Sequence, residues 1–137
     1  MSFAAVEAAV LSASALLVPA AATRDRTPPL FAGLRSATTC VPGPAGEVRT
    51  GVYHLRWPAA HDNVTPQRRI VYDIYQATSP GGESFARPTY HNRPGATAFA
   101  TPPISSALPV YFVVRARDAA GNRDHNRREQ QGVNPCV

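Results

Sequence analysis

Three stretches of the chain alternate apolar and polar side chains with a period of two. Tyr53, Leu55 and Trp57 are separated by His54 and Arg56, the spacing of a half-buried strand. Ile70, Tyr72 and Ile74 alternate with Val71, Asp73 and Tyr75. Val110, Phe112, Val114 and Ala116 alternate with Tyr111, Val113, Arg115 and Arg117. Each stretch sits in a proline-free window (45–57, 67–79 and 110–134), and Pro is confined to sheet edges, strand ends and turns. Less regular runs at 30–37, 97–100 and 128–133 add further strand candidates, and nothing beyond residue 23 repeats with a helical period. Between the runs lie the turn-forming clusters "VPGPAG", "AAHDNVTPQ", "TSPGGES", "HNRPGA" and "TPPISSALP". About seven short strands joined by such turns predict an all-β, antiparallel sandwich. No repeat divides the chain, so it reads as one module.

Composition sharpens this picture. The 137 residues carry 14 prolines and 9 glycines, yet 44% are hydrophobic. That balance fits one folded domain with many stiff turns, not a disordered chain. Residues 1–22, "MSFAAVEAAVLSASALLVPAAA", stand apart from the domain at 23–137. They resemble a signal peptide with a small-residue cleavage site, but Glu7 is their only charge and a basic start is missing. The second reading is a retained segment that packs on, or is donated to, a sheet. The run is too short and too rich in Ala and Ser to read as a membrane span. With the leader cleaved, the protein is not an integral membrane protein.

The net charge of +5 comes from 14 arginines with no lysine. They are scattered, with doublets only at Arg68-Arg69 and Arg127-Arg128. No aromatic-basic stripe accompanies them, which argues against nucleic acid as a partner. Catalytic patterns are also missing. "GxSxG" is absent, Ser79, Ser84, Ser105 and Ser106 lie in turn contexts, and His54, His61, His91 and His125 show no paired ligand spacing. The nine acids are spread thinly. "NVT" at 63–65 fits the pattern of a glycosylation acceptor. No cofactor is expected from these residues, and the chain reads as non-catalytic.

Four segments in order, "DRTPPLFAGL", "YHLRWPAAHDNVTP", "RIVYDIYQAT" and "YFVVRARDAAGN", resemble a bacterial fibronectin type III domain from about Asp25 to Gly132. The resemblance implies an immunoglobulin-like sandwich. Trp57 would be the core tryptophan of its second strand, with Tyr72 and Ile74 as the inward pair of the third. Phe112 and Val114 would complete the core. Ile104 would occupy the usual leucine position in the connection between the fifth and sixth strands. Val110 stands where many members carry the tyrosine of the tyrosine corner, so that hydrogen bond is lost here. "DAAGN" becomes the reversal into the last strand, with Gly121 or Asn122 at positive φ.

The same topology gathers Asp25, Asp62 and Asp118, with Asn63 and Asn122, at one pole. Clustered oxygens of this kind suit Ca²⁺; the plainer reading is that each Asp caps its own turn. At the opposite pole it places Cys40 just past the first strand and Cys136 just past the last. In an exported chain with two cysteines, that predicts a Cys40–Cys136 disulfide. Tyr75, Tyr111 and Val113 would point outward from the larger sheet. They form either a binding face for protein or sugar or ordinary cross-strand pairs. The family analogy implies an extracellular or cell-surface module with a structural or adhesive role. Its partners would be proteins, surface polysaccharide or copies of itself. The alternatives are a protomer of an extracellular assembly that uses the apolar N-terminal segment, and an accessory polysaccharide-binding or small enzyme domain.

Overall fold

The computed structural model describes residues 13–16 and 23–137. The expectations about the leader fall largely on residues 1–12 and 17–22, outside the described residues. The described chain is all-β, with nine short strands: β1 (Ser36–Thr38), β2 (Thr50–Gly51), β3 (His54–Arg56), β4 (Val71–Ala77), β5 (Tyr90–His91), β6 (Ala98–Ala100), β7 (Ile104–Ser105), β8 (Tyr111–Arg117) and β9 (Glu129–Gln131). A single 3₁₀ turn at Gln67–Arg69 is its only helical element. Among the described residues, no helix is long and apolar enough to cross a membrane.

The strands form three antiparallel sheets, ordered β1-β3-β6, β2-β7 and β5-β4-β8-β9. The spine is β4 against β8, paired over seven residues from Val71↔Arg117 to Ala77↔Tyr111. Both strands are rich in β-branched and aromatic residues, which favour a pleated, half-buried surface. Three strands escaped the periodic reading: Thr50–Gly51, Tyr90–His91 and Ile104–Ser105. Two residues are too few to display a period, and tertiary pairing alone makes them strands.

One core joins the three-stranded and four-stranded sheets. Leu34, Ala37, Tyr53, Leu55 and Trp57 come from β1, β3 and their flanks, and meet Ile70, Tyr72, Ile74, Phe112, Val114 and Ala116. Trp57 packs against Tyr72 with ring centroids 5.3 Å apart. The Tyr72 hydroxyl is satisfied within this core, accepting from the Ala60 N–H at 2.9 Å. Every inward position of the three alternating runs is buried.

The two ends of this body differ. At one, Leu30 and His61 exchange backbone hydrogen bonds and hold the entering chain against the segment after β3. At the other, Val133 bonds to Ala37 and Thr39, laying the end of the chain beside β1. There Cys40 and Cys136 are joined by a disulfide, and Asn134 both donates to and accepts from the Val41 backbone.

Candidate functional site

Three turns meet at the entry end, and each is built around an aspartate. Asp25 Oδ1 accepts from the Thr27 N–H at 3.0 Å. Asp62 Oδ2 accepts from Val64 and Thr65 at 3.0 and 2.8 Å. Asp118 Oδ1 accepts from the Asn122 N–H at 2.8 Å and its Oδ2 from Asn122 Nδ2 at 2.7 Å. These are the local side-chain-to-backbone bonds that make Asp a turn former. Gly121, at φ 91°, supplies the left-handed residue of the reversal, and Asn122 does not share that conformation. The "DAAGN" segment is therefore a turn in its own right.

Tertiary bonds then tie the turns together. Asn122 Nδ2 donates to the Asp25 carbonyl at 3.0 Å, and the Ala119 N–H donates to Thr65 Oγ1 at 3.1 Å. Arg24 donates to the Ala120 carbonyl at 3.3 Å. As a result one carboxylate oxygen from each of Asp25, Asp62 and Asp118 lies within 4.8 Å of the others. Asp118 is buried, and Asp25 and Asp62 are half-buried. The remaining oxygens, Asp25 Oδ2 and Asp62 Oδ1, are sealed from solvent and accept no hydrogen bond. Asn63, expected in the same group, is exposed.

On the outward face of the larger sheet, Tyr75 and Val113 are a cross-strand pair and not an open binding strip. Tyr75 and Val113 are each only 1% exposed, and Tyr111 is half-buried, so these residues do not form an open apolar strip. The segment after β4 folds back over the sheet and sets Phe85 edge-on against Tyr75, 5.0 Å between centroids. The Arg115 guanidinium lies 3.5 Å from the Phe85 ring centroid and donates to the Asn126 carbonyl at 2.9 Å. Burial lowers the pKa of Arg115 from its ordinary value. Val113 and Tyr75 are cross-strand partners beneath this cover.

Beside it sits an ion cluster that the alternation did not reveal. Asp73 is fully buried, and its Oδ2 accepts from Arg117 Nε and Arg123 Nε, each at 2.9 Å. Arg117 also reaches Oδ1 at 3.3 Å. The hydrogen bond to Asp73 raises the Arg117 pKa. An Asp in the middle of β4, with arginines on the facing β8, was the available signal. These arginines are engaged inside the molecule, which lowers the number free to form a basic stripe.

Elsewhere the polar groups have structural tasks. Ser106 Oγ accepts from the Arg49 N–H and Ser105 Oγ from Ala107. All four histidines are exposed. A cavity of about 410 Å³ opens near the disulfide, lined in part by Val41, Val48, Arg49, Tyr53, Ile104 and Asn134. Its one cation, Arg49, is taken up by the carbonyls of Val41 and Pro44 and by Glu47.

No protein-family model matches the chain, and neither does any curated protein or solved structure.

Proposed function

We propose that the chain is a fibronectin type III-like β-sandwich module, exported from the cell, with a structural or adhesive role and no catalysis. The observation that carries this reading is the strand order. β1-β3-β6 and β5-β4-β8-β9 contribute to one core, with β2-β7 as a further two-stranded pair, and this arrangement supports a sandwich reading. Trp57 and Tyr72 occupy the centre of that core. The Cys40–Cys136 disulfide supports export, because such bonds persist in oxidising compartments. A structural role is further supported by where many of the polar groups go: into turn caps, sheet-face ion pairs and backbone bonds.

The deciding experiment is fractionation of the producing cell, followed by intact-mass measurement and N-terminal sequencing of the recovered protein. The expected product is extracellular or surface-associated, begins near Ala22 or Thr23, and is lighter than the reduced chain by two hydrogens. Recovery from the cytoplasm with both thiols reduced would reject the reading. Persistence of residues 1–22 in a surface-associated, self-associated form would favour the assembly protomer instead.

A further inference from the structure

We infer that the entry pole is a Ca²⁺ site built from Asp25, Asp62 and Asp118. The inference begins with a mismatch between what turn capping needs and what the pole contains. A cap needs one acceptor oxygen. Asp25 Oδ1 and Asp62 Oδ2 already serve their turns. Their second oxygens are nonetheless sealed from solvent without any donor. A buried acceptor without a partner loses its hydration and receives nothing in return.

The charges make the mismatch larger. Three carboxylates converge to within 4.8 Å, and like charges at that range repel. Among the described residues no salt bridge reaches any of them. Arg24, beside Asp25 in the chain, is turned to the Ala120 carbonyl. Asn122 contributes two donors to Asp118, but none to the sealed oxygens of Asp25 and Asp62. A cation among the three would satisfy both sealed oxygens and remove the repulsion.

The donor set selects the cation. It is all oxygen and anionic, which suits a hard ion and excludes the soft-metal preferences of thiolate or imidazole sites. Oxygens on opposite sides of Ca²⁺ stand roughly 4.6–5.2 Å apart, and Ca²⁺ accepts irregular geometry. Mg²⁺ demands a near-ideal octahedron at about 2.0–2.1 Å and gives up its water reluctantly, which three carboxylates on separate turns are poorly arranged to provide. The ion would link the entering chain, the turn after β3 and the turn after β8. These segments are far apart in sequence, so the site closes only in the folded molecule. The inference does not depend on the adhesive reading.

Calorimetric titration of CaCl₂ into EDTA-stripped, disulfide-intact protein tests it, alongside melting curves at constant ionic strength. One saturable site per chain is expected, with a dissociation constant of about 10⁻⁴–10⁻³ M, as in extracellular modules. The melting temperature should rise by about 5 °C in 10 mM CaCl₂. Asp62→Asn and Asp25→Asn each keep an acceptor for the turn but lose the charge, so each should fold and lose both the heat and the shift. Absence of heat and shift in the wild-type protein overturns the inference. So does a response that survives in Asp62→Asn, and so does an equal response to MgCl₂.

Discussion

Trp57 shows how much one side chain carries. It is 4% exposed and packed on Tyr72, which in turn touches Phe31. Truncating such a residue loses its transfer free energy and leaves a cavity. Trp57→Ala should therefore cost about 3–5 kcal/mol, read as a shift in the denaturant midpoint. A loss below about 1 kcal/mol would contradict its place in the core. Asp73 makes the opposite kind of demand, because a fully buried carboxylate is tolerated only while paired. Replacing Arg117 and Arg123 together with Ala should cost about 3–5 kcal/mol, since it strands that charge. Each single replacement should cost less, because the other arginine remains on the same Oδ2. Additive single effects in a double-mutant cycle would show that the two do not act as a unit.

At the scale of elements, the segment between β4 and β5 determines what the larger sheet presents to solvent. It is latched to β9, with the Gly81 N–H donating to Glu129 Oε2 at 2.7 Å. Glu83 lies beside the same Glu129. Burial raises the Glu83 pKa above its ordinary 4.5, and Glu129 raises it further by hydrogen bonding to the protonated form and by charge. The folded value exceeds the unfolded one, so protonation favours the fold. That stabilisation is fully present below the ordinary glutamate value and is lost as the pH rises through the raised folded value. Glu83→Gln, which can still donate to Glu129, should flatten the melting-temperature profile above the ordinary glutamate value. It should leave the protein relatively more stable at neutral pH. An unchanged profile would mean that Glu83 does not feel Glu129.

For the whole molecule, the disulfide sets the largest single constraint. It joins residues 96 apart in sequence, and in the chain-entropy model closing so long a loop stabilises the fold by about 4–5 kcal/mol. The Cys40→Ser, Cys136→Ser double variant should therefore unfold at markedly lower denaturant than the oxidised protein. The Val133 and Asn134 contacts near the chain end would then no longer be covalently held. Titration of unfolded, unreduced protein should find no free thiol. Two free thiols per chain would remove the cross-link and with it this part of the stability.

Alternation with a period of two is a local property, so the sequence alone located β3, β4 and β8 and their inward residues, from Tyr53, Leu55 and Trp57 to Ala116. The turns were equally legible, because Pro, Gly and Asp act on the backbone within a few residues of themselves. The fate of the other face was not local. Tyr75 and Val113 alternate outward just as a binding strip would, and only the return of Phe85 over the sheet, with Arg115 of β8 against its ring, decides that they are buried. Asp73 found its arginines 44 and 50 residues away, a pairing set by strand register and the path of a later segment. The three aspartates of the entry pole were each readable as turn caps. Their gathering at one pole was already implied by the family resemblance, but the two oxygens sealed without donors exist only once the three turns are packed together.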